Sequence, residues 1–515
     1  MDEVGATVRV CLSVFVCVCI SKSDHDSCLR SQFPIIPPAL ALYHSIPGAN
    51  RKKPRFSTFL LPSHSPSLLL PTRPPLLGSN AIILNPPIQQ IPHPAQPSPL
   101  PPPPTMVRIS AFDVEQWMDE YETTPGCLNI AETCAASVSV NDLVTLSEDK
   151  HAPGPVDLST KLVYGPIRGS ARLRQRVAAL CSGAGAGSND STPGVLCEDD
   201  VLITQGAIGA NFLLLYTLVS PGDHVICVYP TYQQLYSVPE SLGADVSLWR
   251  LKEENGFVPD VSELEAFVKP NTKMIIVNNP NNPTGIPIPT PVVASLVAFA
   301  KARDIILFSD EVYRPLFHNI FSSSSGDADV PPPLTTFGYP KVVVTGSMSK
   351  SYALAGIRIG WIASADKSII QAVASARDYT TISVSQIDDQ IASYALSPPV
   401  YAPLLRRNVG LAVTNKALLE AFIEKHKGVC SWVRPLAGTT AFIRFTHRSG
   451  EPVDDVRFCL DVLRETNVFF VPGSKCFGHG RDFKGYVRIG YVCHTEVLVE
   501  ALEKLEAYMR VAFPE

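Results

Sequence analysis

The 515-residue sequence lacks several features that would indicate a membrane or nucleic-acid role. No apolar run reaches the roughly 18 residues that are needed to span a bilayer. The net charge is −5, so the excess of basic residues that is typical of nucleic-acid-binding proteins is missing. We therefore expect neither a membrane nor a nucleic acid as a partner.

The 13 cysteines form no CxxC pair, so the spacing typical of zinc sites is absent. Their odd number and scattered positions suit a reducing compartment. The apolar run VRVCLSVFVCVCI at residues 8–20 could form the core of a signal peptide. The preceding MDEVGAT is acidic, however, and no small-residue cleavage site stands out. We therefore predict a cytoplasmic protein without a bound metal.

Residues 1–105 differ in composition from the rest of the chain. Of the 47 prolines, 20 precede Met106, and the segment ends in PAQPSPLPPPPT. Because proline is excluded from helix interiors and central strands, we predict that this segment is either disordered or an extension of the gene model upstream of a true start at Met106. Proline-rich tracts also serve as ligands of SH3-type domains, and composition alone leaves that alternative open.

After Met106, short runs rich in valine and isoleucine alternate with helix-like segments. DHVICVYP, TKMIIVNNP, IILFSDEVY and KVVVTGS are predicted strands, and TPVVASLVAFAKARD is a predicted amphipathic helix. This alternation predicts an α/β fold with a mainly parallel sheet covered on both faces. We assign residues 106–160 to an N-terminal arm, 161–395 to a large domain and 396–515 to a smaller α+β domain.

Chemically useful residues follow the predicted strands, where ligands bind in parallel α/β sheets. After VLIT, the glycine turn QGAIGAN opens a helix whose free N–H groups suit an anion. Other predicted strand ends are followed by Tyr232, Asn282, Asp310, Tyr313 and Lys350. A buried carboxylate needs a cationic partner. A flat, phosphorylated, cationic heteroaromatic aldehyde would satisfy all of these groups.

Four motifs of the sequence resemble those of a known protein family: NNPNNPTG, SDEVY, SMSKSYALAGIRIGW and YVRIGY. In this order and spacing, they resemble class I/II aminotransferases, which are fold-type I enzymes that depend on pyridoxal 5′-phosphate (PLP). The resemblance covers residues 157–510. It implies PLP as cofactor, an amino acid and a 2-oxo acid as substrates, and a homodimer. AETCAASVSVNDL and YGPIRGSARLRQRVAAL further resemble fungal aminotransferases of specialised-metabolite pathways, such as alkaloid pathways.

The resemblance assigns roles around the cofactor ring. Lys350 is expected to attach covalently to the aldehyde and later to move a proton, with a pKa lowered by the cationic ring and partial desolvation. Asp310 is expected to pair with the pyridine nitrogen and to keep it protonated. Tyr313 and Asn282 are expected to donate to the 3′-oxygen of the ring, and Tyr232 to stack on the ring.

A second group is expected to bind the phosphate. The resemblance gives Arg358 a bidentate, charge-assisted contact with the phosphate oxygens. The remaining phosphate contacts are expected from Ser347, Ser349 and the backbone of Ala207 and Ile208.

Two residues connect the site to the substrate and to a second subunit. Arg488, in YVRIGY, matches the arginine that binds the α-carboxylate of the substrate, with Asn282 nearby. Tyr164, in YGPIRG, matches a tyrosine that reaches the phosphate of the neighbouring subunit. If that match holds, the active site is shared and the dimer is obligate.

The sequence departs from the family at three points. The family carries a glycine-rich GxGEP-like segment before the YG motif, and the glycine of that segment cannot be placed in the corresponding region LVTLSEDKHAPGP, residues 143–155. Ile208 and Gly209 stand where a hydroxyl side chain is common, so backbone N–H groups carry more of the phosphate binding. No second arginine for a substrate side-chain carboxylate is evident, which disfavours a strict aspartate aminotransferase.

Two other functions remain open at this stage. A β-eliminating C–S lyase would use the same cofactor and the same first proton removal, and no residue decides against it. A non-catalytic binding or regulatory protein with this fold is the alternative from another class. The presence of Lys350, Asp310 and Arg488 argues against the second alternative.

Overall fold

The structure is a computed structural model, and it describes residues 109–183, 195–321 and 330–513. All of these residues belong to one compact unit, Pro99–Glu515. The prediction that residues 1–105 are disordered or a gene-model extension concerns a segment outside the described residues.

Helices and strands alternate along most of the described chain. The helices are α1 Asp113–Tyr121, α2 Val140–Leu146, α3 Ala171–Cys181, α4 Gly206–Leu218, α5 Gln234–Ser241, α6 Leu264–Phe267, α7 Thr290–Ala302, α8 Lys367–Arg377, α9 Gln386–Ala395, α10 Pro398–Lys425, α11 Asp455–Thr466, α12 Gly473–Phe477 and α13 Thr495–Ala512. The strands are β1 Leu128–Asn129, β2 Val201–Gln205, β3 His224–Tyr229, β4 Asp245–Arg250, β5 Thr272–Asn278, β6 Ile306–Asp310, β7 Val342–Ser347, β8 Ile359–Ser364, β9 Cys430–Trp432, β10 Thr440–Phe445, β11 Val468–Phe469, β12 Val471–Pro472 and β13 Tyr486–Gly490.

The main sheet has seven strands in the order β2-β8-β7-β6-β5-β3-β4. Strand β8 is antiparallel to both of its neighbours, and all other pairs are parallel. Strands β3, β6, β7 and β8 are buried along their whole length, as expected for a sheet covered on both faces. The predicted α/β fold with a mainly parallel sheet is therefore confirmed.

The C-terminal part of the chain forms a second, antiparallel sheet in the order β12-β13-β10-β9. The short apolar segment NVFFVPG forms two strands: β11 pairs with β1, whereas β12 pairs with β13. The separation follows from pairing with two different sheets, which hydropathy alone does not reveal. The domain boundaries at 160 and 395 stay predictions.

The sheet register aligns the residues that follow the predicted strands. Asn278 at the end of β5 lies beside Asp310 at the end of β6, and Asp310 lies beside Thr345 on β7. Because these strands are parallel, their carboxyl ends meet at one edge of the sheet. That edge carries the site described below.

Two further features concern the whole described region. Its cysteines are all free thiols. None of its helices has the length and hydropathy that a membrane crossing requires.

Candidate active site

A cavity of about 560 Å³ lies at the carboxyl edge of the main sheet. Every sequence-predicted site residue except Tyr164 lines it. These residues are Ala207, Ile208, Tyr232, Asn282, Asp310, Tyr313, Ser347, Ser349, Lys350, Arg358 and Arg488. Residues that are up to 281 positions apart, Ala207 and Arg488, are therefore brought together by the fold (488 − 207 = 281).

Asp310 is a buried carboxylate at the end of β6. Burial raises its pKa to about 6, although the Asn211 amide and the Val312 N–H donate to it at 2.9 and 3.1 Å. Neutral donors offset only part of the cost of burying this charge. A bound cation is the partner that would stabilise the ionised form most.

Asn211 was missed by the sequence analysis. Its buried amide lies on α4, donates to Asp310 and accepts a hydrogen bond from the Thr345 hydroxyl at 2.7 Å. The two successive hydrogen bonds, from Thr345 to Asn211 and from Asn211 to Asp310, fix the orientation of the Asp310 carboxylate. The signal was visible, because Asn211 is a lone amide in the apolar helix GAIGANFLLLYTL and a buried amide needs partners.

Lys350 follows β7, and its amine points at the segment after β1. Nζ donates to the Thr133 hydroxyl at 2.6 Å and lies 3.4 Å from Cys134 Sγ and 3.5 Å from Glu132 Oε1. Burial lowers the pKa of Lys350, but Cys134, Glu132 and Tyr313 outweigh burial and raise the pKa above its ordinary value. The predicted lowered pKa assumed a cationic ring beside the amine, and the neighbouring carboxylate acts in the opposite direction.

The wall of the cavity next to Lys350 is residues 131–134, not residues 143–155, where the sequence analysis looked for it. Glu132 Oε1 accepts from the backbone N–H groups of Thr133 and Cys134 at 2.6 and 3.0 Å. Burial raises the pKa of Glu132, but Lys350 and these donors outweigh burial and lower the pKa to about 2. The correction was hard to foresee, because β1 has only two residues and is held by β11 of the C-terminal part.

The turn from β2 into α4 has the properties of an anion site. Gly206 begins α4 with a φ of +71°, and a Cβ there would lie 2.6 Å from Arg358 Nη2. The residue before the helix, Gln205, makes no side-chain cap, so the first N–H groups of α4 are left for another acceptor. A guanidinium packed against a helix N-terminus attracts a phosphate.

Glycine at 360 allows the turn to approach β8. A Cβ on Gly360 would lie 2.4 Å from the Gly206 carbonyl carbon and 2.6 Å from the Ala207 nitrogen, which real side chains do not tolerate. The two serines complete this end of the cavity, because Ser347 Oγ lies 2.8 Å from Ser349 Oγ. Ser349 Oγ also lies 3.4 Å from Arg358 Nη1.

Three residues line the cavity between Asp310 and Lys350. The amide oxygen of Asn282 is buried and has no hydrogen-bond partner among the described residues. Tyr313 is buried, which raises the pKa of its phenol. The Tyr232 hydroxyl donates to Glu115 Oε1 at 2.8 Å, which fixes the ring at the cavity wall.

Arg488 reaches the cavity from β13 of the second sheet. Its side chain is buried, and Nη2 donates to the Ala131 carbonyl at 2.9 Å. Its Nε has no partner within the described part of the chain. A buried guanidinium with a free donor is suited to bind a carboxylate.

Tyr164 does not line the cavity of its own chain. It is 80% exposed, in a segment where Leu158, Leu162 and Val163 are also exposed. The structure of one chain therefore leaves the predicted contact of Tyr164 with a neighbouring subunit untested.

The cavity fits PLP in each of its parts. The anion site at Gly206 and Arg358 suits the phosphate, and the buried Asp310 suits the protonated ring nitrogen. The unpartnered Oδ1 of Asn282 can accept a hydrogen bond from a hydroxyl group on the ring, whereas the predicted role was that of a donor, and the Lys350 amine suits the aldehyde. No part of this lining contradicts the cofactor.

The family model for aminotransferase class I and II matches residues 149–505. The chain belongs to this family and is a PLP-dependent aminotransferase of fold type I. The prediction of this family, fold and cofactor is thus confirmed.

Individual relatives agree with this assignment. An aspartate aminotransferase from Thermotoga maritima is 28% identical over 319 residues, which cover 61% of this chain and 76% of the relative. A capreomycidine synthase from Streptomyces vinaceus is 29% identical over 340 residues, which cover 66% and 78%. The crystal structure of a PLP-dependent aminotransferase from Streptococcus suis superposes with a TM-score of 0.68 at 36% identity, covering 79% of this chain and all of the other.

Proposed function

We propose that this cavity moves the amino group of an α-amino acid to a 2-oxo acid, with Lys350, Asp310 and Arg488 as the central residues. The observation that carries the proposal is their convergence in one cavity from β7, β6 and β13. Bound PLP supplies an aldehyde that takes up the amino group and an electron-poor ring that accepts the electron pair of the Cα–H bond.

Lys350 is the residue placed to move the proton. With PLP bound, the Lys350 amine would take the proton from the substrate Cα and would release it again to complete the transfer. The hydroxyl of Thr133, 2.6 Å from Nζ, holds the amine at the cavity wall during this transfer. Proximity of this kind accounts for much of the rate that an enzyme gains.

Asp310 and Arg488 orient the reacting partners. Asp310 holds the proton on the ring nitrogen, and the Asn211–Thr345 chain keeps its carboxylate in place. Arg488 binds the α-carboxylate through its free donors, while its bond to the Ala131 carbonyl fixes the guanidinium.

The proposed setting is a cytoplasmic, specialised-metabolite pathway of alkaloid type in a fungus. The free thiols of the described region support a reducing compartment. The resemblance of the AETCAASVSVNDL segment to fungal enzymes of such pathways supports this setting, and its Glu132, Thr133 and Cys134 line the cavity.

The products distinguish transamination from elimination. Full-length protein is incubated with PLP, an amino acid and pyruvate, and alanine and ammonia are measured together. We expect alanine to form in equal amount to the amino donor consumed, without ammonia. Ammonia released from a β-substituted amino acid, with no alanine formed, would favour the C–S lyase instead.

We also propose a homodimer in which Tyr164 completes the phosphate site of the partner chain. The exposed apolar side chains around Tyr164 support this proposal, since a patch of this kind is typical of an interface.

Mixing two defective variants tests the shared site. In a hybrid of Lys350→Ala and Tyr164→Phe chains, one site keeps both Lys350 and the Tyr164 of the other chain. We expect the refolded mixture to exceed the mean activity of the two parents severalfold. A mixture that equals this mean, or a monomeric protein in sedimentation analysis, would contradict the shared site.

A further inference from the structure

The cavity contains more acidic side chains than the proposed cofactor and substrate contacts require. The proposed partner of Lys350 is the cofactor aldehyde, and that of Arg358 is the cofactor phosphate. The proposed partner of Arg488 is the substrate α-carboxylate, and that of Asp310 is the ring nitrogen. Within the described residues, no further lysine or arginine lines the cavity. Four carboxylates remain: Glu115, Asp119, Glu122 and Glu132.

Three of these carboxylates belong to one face of α1. Glu115, Asp119 and Glu122 are spaced by four and three residues, and Glu122 directly follows the helix. This spacing puts side chains above one another on a helix surface. We call these three residues the acidic face of α1.

The acidic face is not neutralised by the protein. None of its three carboxylates forms an ion pair with a lysine, arginine or histidine of the described ranges. Burial raises the pKa of Glu122, and repulsion by Glu132, Glu115 and Asp119 raises it further. Like charges held together in this way favour a cationic ligand.

Glu132 adds a fourth charge next to the reacting amine. Its only ion pair among the described residues is with Lys350, at 3.5 Å. If Lys350 holds the cofactor aldehyde, Glu132 is left without a separate ammonium partner and remains in the lining of the cavity that substrate enters. Its two backbone donors keep it ionised and oriented.

A metal ion does not explain these carboxylates. No group of three or more His, Cys, Asp or Glu side chains in the described residues could hold a metal ion. Arg488 independently points to a carboxylate ligand, because its buried guanidinium lines the same cavity and its Nε has no partner among the described residues. The ligand thus carries a carboxylate at one end and a positive charge at the other.

We infer that the amino donor has a cationic side chain, a guanidinium or an ammonium group, which Glu132 and the acidic face of α1 recognise. This inference rests on the proposed aminotransferase function of the same cavity. A carboxylate side chain would be repelled, which agrees with the lack of a second arginine for aspartate. A short apolar side chain would leave Asp119, Glu122 and Glu132 without a partner in the ligand.

The first test measures binding without turnover. δ-Guanidinovalerate is arginine without its α-amino group, and valerate is the same acid without the guanidinium group. Calorimetry of the PLP-loaded, full-length protein is expected to show at least about tenfold tighter binding of δ-guanidinovalerate. Equal affinity for the two acids would overturn the inference.

The second test compares amino donors in variants. Wild-type protein is expected to prefer L-arginine, L-lysine or L-ornithine over L-alanine in kcat/KM. Glu132→Gln and the double variant Asp119→Asn/Glu122→Gln are expected to lower this preference by about tenfold or more. Glu120→Gln is the matched control, because Glu120 lies on α1 but does not line the cavity, and the preference is expected to stay unchanged.

The outcomes separate the inference from the function on which it rests. Faster turnover of L-alanine or L-aspartate than of all three basic amino acids would overturn the inference and leave the aminotransferase standing. Selective binding of δ-guanidinovalerate without transfer of any amino group would support the cation site and refute the proposed reaction. An unchanged preference in the Glu132 and α1 variants would also overturn the inference.

Discussion

Replacing Lys350 with alanine is expected to abolish the visible absorption band of lysine-bound PLP and to lower transamination by about a thousandfold or more. The loss combines two effects, because the same amine holds the cofactor and moves the proton. Cofactor affinity is expected to fall less than activity, since the phosphate site at Gly206 and Arg358 is untouched.

Lys341→Ala is the matched control. Lys341 and Lys350 flank the two ends of β7, but Lys341 forms an ion pair with Asp304 outside the cavity. The control is expected to keep both the band and the activity. A Lys350→Ala protein that retained the band and near-normal turnover would mean that another amine is the catalytic one.

Asp310→Asn is expected to lower turnover by roughly a hundredfold or more, because the neutral amide cannot hold the ring nitrogen protonated. PLP still binds through its phosphate and through Lys350. The readout is the rate of the half-reaction with a fixed amino acid, measured with the cofactor saturating.

The same variant has a distinct pH signature without cofactor. The folded-state pKa of Asp310 is about 6, above the ordinary value of 3.8, so the folded protein binds more protons than the unfolded chain between these values. Wild-type stability therefore falls relative to Asp310→Asn as the pH rises from about 4 to 6, by about 3 kcal/mol in total. Urea unfolding at pH 4, 5, 6 and 7 measures the difference. A constant difference would contradict the buried, cation-requiring carboxylate.

The fold and most of the site could be predicted from sequence, because strand ends and motifs are local signals. Asp310 ends the strand ILFSD, Lys350 follows the strand VVVTGS by three positions, and parallel strands end at one edge of a sheet. Their convergence with Arg488 was available only through the family resemblance, since β13 belongs to a different sheet.

The residues that sequence missed are defined by long-range contacts. Glu132 and Thr133 reach Lys350 because β1 pairs with β11, more than 300 positions away in the chain (468 − 128 = 340). The sequence analysis assigned no role to the acidic face of α1, and only its position on the cavity gives it one. Two-residue strands and charged helix faces carry too little local signal to be placed from sequence.

The most direct test of the central claim is the visible absorption spectrum of the full-length, PLP-loaded protein before and after addition of L-arginine, and then of pyruvate. The account predicts that the band of lysine-bound cofactor gives way to the amine form of the cofactor and that pyruvate restores it. A band that never forms with added PLP, or that persists unchanged with every amino acid tried, would contradict the account.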